Sequence, residues 1–332
     1  MRLPSTFGFA VAGIAVTALA LTGCSGSAEG AGATSDGTVA VVASTNVWGD
    51  IAAQVGGDLV SVTSLITSAA QDPHSYEASA QDQLALSKAA LVIENGGGYD
   101  PFIDSLLSAS SNSDAVVVTA SDASGLLEGD DHNHEAEEDT TDDAAEDEHS
   151  EDDGHNHIEG FNEHVWYSFR GVEHVAEEIA HQLAELDADN AATYEANYEA
   201  FAAKIATLES RAEALQASTA GLGVAITEPV PLYLLEDTGL TNKTPDDFSE
   251  AIEEGTDVSP TVLQETLALF TGEEVALLAY NEQTAGPETE QVLKAANSAG
   301  IAVVSFTETL PDGADYISWM TDNLDAISAA VQ

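Results

Sequence analysis

Two histidines and two glutamates stand where they could bind a divalent cation. His74 directly follows Pro73, His164 lies in a polar loop sequence, and Glu228 and Glu308 each follow a short apolar run. Two imidazoles and two carboxylates form a reasonable four-ligand set for a divalent transition metal. Taken singly, the same residues also fit ordinary roles, since a histidine beside a proline is often a surface residue and a glutamate after a strand often caps a helix.

The elements that would position these residues are short apolar runs rich in β-branched side chains. Such runs alternating with helical stretches predict an α/β fold with parallel sheets covered on both faces. Open parallel sheets bind ligands beyond the carboxyl ends of their strands, which is where the four residues stand. Seven runs fall into two groups on either side of a long middle section: 39–43, 59–66, 90–93, 115–119, 224–227, 275–280 and 301–306.

The middle section contains the clearest helical pattern of the chain. Asp189-Asn190 is a candidate helix start, and the pattern ends near Gly221. Apolar residues recurring at steps of three and four place one stripe along a helix of about 40 Å. This helix is either a stiff rod that joins two lobes or a long helix packed within one domain. The stripe comprises Tyr194, Tyr198, Phe201, Ile205, Leu208, Ala212 and Leu215.

Residues 128–159 differ from the rest of the chain because aspartate and glutamate dominate them. The segment lacks the apolar side chains needed to offset the entropy of ordering, so it is predicted to be a disordered loop. It is either a weak metal-capturing segment, as histidine-rich tracts often are, or a solvated acidic linker. Five of the nine histidines lie in it: His132, His134, His149, His155 and His157.

The amino terminus has the pattern of an export signal. Residues 7–21 form an apolar run shorter than the roughly 20 residues that a membrane span needs, so residues 1–23 are predicted to be a signal peptide. The run ends in Leu21-Thr22-Gly23-Cys24, which resembles a bacterial lipobox. Residues 24–38 then form a Gly- and Ser-rich tether, with Cys24 lipidated. The alternative is an ordinary secretory signal that contains an incidental cysteine.

The charge of the chain is strongly one-sided. It has 59 acidic and 7 basic residues, with a formal net charge of −52. Phosphates would be repelled, so a nucleic-acid partner is excluded, whereas a cationic ligand would be attracted. Most of this charge is equally compatible with a solvated acidic surface.

Four segments of the chain follow one another in a characteristic order: Asp72-Pro73-His74-Ser75-Tyr76-Glu77, Glu94-Asn95-Gly96-Gly97-Gly98, Asn162-Glu163-His164-Val165-Trp166, and a carboxyl-terminal segment from Glu308-Thr309-Leu310-Pro311 to Tyr316-Ile317-Ser318-Trp319-Met320. Together these segments resemble the zinc- and manganese-binding lipoproteins that serve as solute-binding components of ABC importers, also called cluster A-I metal-binding proteins. The resemblance runs from about residue 39 to the end of the chain.

The resemblance implies a specific architecture and ligand set. Residues 39–188 and 221–332 would form two α/β lobes, joined by a rigid helix at 189–220, with the metal in the cleft between them. His74 and His164 match the first two ligand positions. Glu228 occupies the third, where many zinc-type members have histidine and manganese-type members often have glutamate. Glu308 occupies the fourth, where aspartate is usual.

The function implied is capture of a divalent metal outside the cell and delivery to a membrane permease. Carboxylate oxygens suit manganese, yet zinc outcompetes manganese at most nitrogen and oxygen sites. Zinc is favoured and manganese is the alternative, because the imidazoles of the histidine-rich segment prefer zinc. We expect a non-enzymatic monomer on the outer face of the cytoplasmic membrane. Asn281 and Gln283 are either donors that orient the ligands or members of a polar turn. The competing functions are a metal-dependent hydrolase, which needs an open position for water, and a surface adhesin.

Overall fold

The structure is a computed structural model that describes residues 37–71, 73–74, 76–127, 158, 160–272 and 274–332. The predicted signal peptide, Cys24 and nearly all of the tether lie outside the described residues, as does the acidic histidine-rich segment apart from Ile158. All described residues belong to one unit of the chain. Among these residues, no helix combines the length and the apolar character needed to cross a membrane.

Eight strands in the described part of the chain form two parallel sheets of four. The strands are Val39–Thr45 (β1), Val60–Ile66 (β2), Leu91–Glu94 (β3), Val116–Thr119 (β4), Gly223–Ile226 (β5), Thr241–Asn242 (β6), Leu277–Asn281 (β7) and Ala302–Phe306 (β8). The first sheet has the order β2-β1-β3-β4 and the second the order β6-β5-β7-β8. The predicted α/β class and the seven predicted strands are confirmed, whereas β6 is too short to show a pattern in the sequence.

Helices cover both sheets, as parallel strands require. They are Asn46–Gly56 (α1), Ala80–Leu86 (α2), Phe102–Ala109 (α3), Ala120–Ala123 (α4), Phe169–Leu186 (α5), Ala191–Thr219 (α6), Leu232–Asp237 (α7), Asp246–Glu253 (α8), Pro260–Ala268 (α9), Pro287–Ala299 (α10) and Tyr316–Ala330 (α11). One large apolar cluster lies against the inner faces of both sheets and α6. Two smaller clusters cover the other face of each sheet.

The long helix α6 confirms the predicted element between the two sheets. Five of the seven predicted stripe residues are buried, and Tyr198 and Leu215 pack partly buried against the same cluster. The helix connects the sheets and packs against α1, α5, α7 and α11. The predicted helix start at Asp189-Asn190 is confirmed, since Asn190 is the N-cap residue of α6. Its side chain makes no cap bond, and its amide donates to Asp187 Oδ2 at 2.7 Å. The lobe boundaries at 188 and 221 stay predictions.

Candidate metal centre

His74 lies in the connection between β2 and α2, beyond the carboxyl end of β2. Its preceding residue, Pro73, is buried. Two residues later, Tyr76 packs its ring against Phe102 with centroids 4.8 Å apart, and its hydroxyl donates to Asp82 Oδ2 at 3.1 Å. These contacts fix the loop on both sides of His74. The flanking motif residues 72 and 75 lie outside the described part of the chain.

A glycine turn after β3 brings a tyrosine against this histidine. Residues 96–98 all have positive φ, at 72°, 67° and 97°, a conformation that glycine adopts without steric cost. The Asp100 carboxylate closes the turn by accepting backbone N–H bonds from Asn95 at 2.7 Å and Gly96 at 2.8 Å. Tyr99 is then fully buried, and its ring meets that of His74 edge-on, with centroids 4.9 Å apart.

Asn95 connects the glycine turn to the loop that carries the second histidine. Its Oδ1 accepts a hydrogen bond from Trp48 Nε1 at 3.2 Å, and its Nδ2 donates to the Glu163 carbonyl at 2.9 Å. The two segments are also in close contact, since a Cβ on Gly97 would lie 3.0 Å from the Phe161 ring. A side chain at Gly97 would have to displace this ring and would also adopt a strained positive φ, so glycine favours this close approach of the turn to the loop at 161–164.

His164 is buried at 1% exposure and is oriented by Asn162. The Asn162 amide Nδ2 donates to the Pro229 carbonyl at 3.1 Å, so its Oδ1 faces the histidine. That oxygen lies 2.7 Å from His164 Nδ1 and accepts the His164 backbone N–H at 3.1 Å. We assign the proton to Nδ1 from this network, which leaves the Nε2 lone pair for a cation. Tyr233 also donates to the Asn162 carbonyl at 2.8 Å.

The two predicted carboxylates follow strands of the second sheet and share one amide donor. Glu228 and Glu308 come two residues after the ends of β5 and β8 and are buried at 3% and 4% exposure. Asn281, at the end of β7, donates from Nδ2 to Glu228 Oε2 at 2.6 Å and to Glu308 Oε1 at 2.8 Å. Asn281 therefore orients the carboxylates, whereas Gln283 accepts the Glu308 backbone N–H at 2.6 Å.

Three of the four predicted ligands come together in one group. The donor atoms of His74, His164 and Glu308 all lie within 4.8 Å of one another. Zinc bonds of about 2.1 Å in a tetrahedron separate donors by roughly 3.4 Å, so closing on an ion requires shifts no larger than on the order of 1 Å. Glu228 lies outside this group but is joined to Glu308 through Asn281. The four-residue ligand set stays a prediction.

Two further acidic side chains stand beside this group, and sequence reasoning missed both. Donor atoms of Glu163 and Glu253 lie within 4.8 Å of each other and of a His74 nitrogen. Glu253 Oε1 is also 3.6 Å from His164 Nδ1. Burial, together with the charges of Glu163 and Glu228, raises the pKa of Glu253 to about 10. Glu163 adjoins His164 in its motif, which was a usable signal; Glu253 lies in an acidic helix among many similar residues.

Comparison with known proteins places the chain in a family. The family model described as zinc-uptake complex component A, periplasmic (ZnuA), matches residues 41–330. The chain belongs to this family. The manganese-binding lipoprotein MntA of Halalkalibacterium halodurans is 29% identical over 198 residues, which cover 59% of this chain and 55% of MntA. The chain thus spans about half the length of the first curated relatives it matches. A putative metal-binding protein of Treponema pallidum is 23% identical, covering 87% of this chain and 86% of that protein.

Solved structures share the fold of this ZnuA-family chain. The periplasmic zinc-binding protein TroA of Treponema pallidum superposes with a TM-score of 0.66 at 19% identity, covering 88% of this chain and 98% of TroA. FpvC of Pseudomonas aeruginosa, solved in complex with Mn²⁺, gives 0.65 at 22% identity, covering 88% and 97%. Identities this low support the fold alone, and the fold agrees with the two sheets and long helix described above.

Proposed function

We propose that this chain captures a divalent transition metal outside the cytoplasmic membrane and delivers it to the permease of an ABC importer. One observation carries the proposal: donor atoms of His74, His164 and Glu308 converge within 4.8 Å from both sides of α6. A cation held there would join the two sheets of the protein, as a cargo-dependent binding protein requires. The surrounding buried carboxylates would also stabilise a positive ion strongly.

Zinc is the proposed cargo and manganese the alternative. Two imidazoles and two carboxylates suit either ion, but zinc forms stronger bonds with such donors by the Irving–Williams order. The family description refers to zinc uptake, whereas MntA is described as manganese-binding, so relatives of both kinds exist. Glu228 is proposed as the fourth ligand, which it could become by exchanging its bond from Asn281 for the ion.

The proposal includes no catalysed reaction. A hydrolytic zinc site uses three protein ligands and an open position for water. With Glu228 as the fourth ligand, the cation would have no such position. We further propose that Cys24 carries the lipid that holds this monomeric protein on the outer face of the membrane. Labelling with radioactive palmitate should then mark the wild-type protein and leave Cys24→Ala unlabelled.

Metal analysis tests the proposed cargo. Protein purified without added metal should contain zinc in excess of manganese, and competition calorimetry at fixed pH should rank zinc above manganese. His181→Ala is the control, because this histidine is 61% exposed on α5. Retention of neither ion by the wild-type protein would refute the proposal, and tighter binding of manganese would replace zinc by manganese as the cargo.

A further inference from the structure

The cleft contains two groups of possible metal donors that share His74. One is the His74–His164–Glu308 group described above, called here the inner group. The other consists of His74, Glu163 and Glu253, called here the outer group, and its donor atoms also lie within 4.8 Å of one another. Glu163 and His164 are consecutive residues, so one loop contributes a donor to each group.

Each group contains donors from residues that precede α6 in the sequence and from residues that follow it. His74 and Glu163 precede this helix in the chain, whereas Glu253 ends α8, which belongs to the second sheet's half. A cation in the outer group would therefore contact both halves, as a cation in the inner group would. The ion could move between the groups while the two halves stay in contact.

The outer group includes a buried carboxylate oxygen that has no hydrogen-bond donor. In the described part of the chain, Glu253 Oε1 is inaccessible to water and accepts no hydrogen bond. Buried polar atoms of this kind are rare, because losing water without gaining a partner costs free energy. A cation beside Glu253 and Glu163 would supply the missing partner. The site is thus suited to an ion rather than to an apolar contact.

The donor types and exposure of the two groups differ. The inner group offers two imidazoles and one carboxylate, and the outer group offers one imidazole and two carboxylates. Imidazole-rich sites hold zinc more strongly than carboxylate-rich ones, so an ion would reside longer in the inner group. The Glu253 side chain is 11% exposed, compared with 1% for His164 and 4% for Glu308. Glu253 is therefore the more exposed carboxylate of the outer group, since Glu163 is 2% exposed.

We propose that the outer group is a transfer position, through which the cation enters and leaves the inner group one ion at a time. The proposal rests on the proposed function, because it requires a cation as cargo. Because the cation passes through this position in both directions, the position accelerates loading and release alike. Its loss should therefore change both rates while leaving their ratio, the dissociation constant, nearly unchanged.

Stopped-flow kinetics with Zn²⁺ alone tests this proposal. Loading can be followed by tryptophan fluorescence, because the Trp166 ring centroid is 5.1 Å from that of His164, and release can be followed in excess EDTA. We expect Glu253→Gln to slow loading and release about tenfold each, while equilibrium affinity stays within about threefold of wild type. Glu163→Gln, on a separate element, should behave in the same way and carries the test if Glu253→Gln does not fold.

Two control variants separate coordination from simple attraction. Glu254→Gln removes one charge from the exposed neighbouring residue and should leave both rates unchanged. Glu253→Asp keeps the charge but withdraws the carboxylate by one carbon, so it should be as slow as Glu253→Gln. If Glu253→Asp loads and releases zinc at the wild-type rates, Glu253 acts only by electrostatic attraction of the cation. That result would overturn the proposal.

Equilibrium measurements on the same proteins provide the remaining outcomes. Binding of two zinc ions per wild-type chain, or a loss of affinity in Glu253→Gln as large as in Glu308→Ala, would also overturn the transfer position. Unchanged rates in both Glu253→Gln and Glu163→Gln would do the same. Failure of the wild-type protein to bind zinc or manganese is a different result, because it refutes the proposed function itself.

Discussion

The two sheets have the same strand order, yet they hold their candidate donors in different ways. In each, an asparagine at the end of the third strand organises the site: Asn95 directly follows β3 and Asn281 ends β7. Asn281 donates to both carboxylates directly. Asn95 instead donates to the backbone of Glu163, so it acts on His164 only through the loop. The half that contains β5 to β8 fixes its donors directly after strand ends. The half that contains β1 to β4 fixes the loop that carries His164.

This difference has a consequence for how the halves depend on each other. Glu228 and Glu308 are held mainly by side chains of their own half. The loop carrying His164 also depends on the opposite half, because Asn162 donates to the Pro229 carbonyl and accepts from Tyr233. Tyr99 in turn donates to Glu308 Oε2 at 3.1 Å. The site is therefore completed only when the two halves are in contact.

The largest expected effect comes from removing one donor from each half. We expect His164→Ala and Glu308→Ala each to weaken zinc binding by more than about 100-fold, since loss of a mere supporting partner of a metal ligand costs 10–100-fold. Isothermal titration or chelator competition would measure this. Affinity within about threefold of wild type in either variant would mean that one half alone binds the ion, and the comparison would fail.

The next effect separates the two asparagines. Asn281→Ala removes the donor to both carboxylates and should weaken zinc binding by about 10–100-fold. Asn95→Ala leaves Trp48 Nε1 and the Glu163 carbonyl without their partner, so it should cost about 2–3 kcal/mol of unfolding free energy and affect affinity less. Urea unfolding and zinc titration of both variants measure the two quantities.

Asn297→Ala is the control for this pair, because Asn297 is exposed on α10. It should change neither affinity nor stability. Asn95→Ala could instead weaken zinc binding as much as Asn281→Ala does, without loss of stability. Asn95 would then support the metal donors as directly as Asn281 does. The proposed contrast between the two halves would then have no basis.

These asparagines also show which features of the site could be predicted from the sequence and which could not. The strands, the long helix and the donors after β5 and β8 were predictable, since β-branched runs and their ends are local features. Asn281 could be suspected because it follows a strand, but its bonds to Glu228 and Glu308 could not. The contacts of Glu253 arise from packing between distant segments. Helix α8 has no local feature that distinguishes this glutamate from its acidic neighbours.

A third prediction changes the donor type of the carboxylate half. Glu228→His should raise the ratio of zinc to manganese affinity by about tenfold, because imidazole nitrogen strengthens zinc bonds more than manganese bonds. Glu228→Ala should weaken both ions, since water must fill the open position. Competition calorimetry at fixed pH measures both variants. An unchanged ratio in the first and unchanged affinity in the second would remove Glu228 from the ligand set.

The smallest expected effect concerns the last residues of the two equivalent strands, which are Glu94 in β3 and Asn281 in β7. The second sheet ends this strand with a neutral amide, and the first ends it with a half-buried acid. Burial raises the pKa of Glu94 from its ordinary value to about 7; the Thr119 hydroxyl bond lowers it, and the charges of nearby aspartates raise it further. Ionising Glu94 therefore costs more in the folded protein than in the unfolded chain.

The sign of the resulting pH dependence follows from proton binding. Between pH 4.5 and about 7 the folded state binds more protons at Glu94 than the unfolded state, so unfolding free energy falls as pH rises through this window. We expect Glu94→Gln, which can still accept the Thr119 hydrogen bond, to be about 1 kcal/mol more stable than wild type at pH 8, after discounting the shift for partial exposure. The two proteins should be equally stable near pH 4.5.

Urea unfolding across this range measures the difference, and Glu199→Gln on the exposed face of α6 controls for loss of one negative charge. A constant difference between Glu94→Gln and wild type at all pH values would show that Glu94 is ionised as readily as in the unfolded chain. The two strand ends would then be electrostatically alike despite their different residues.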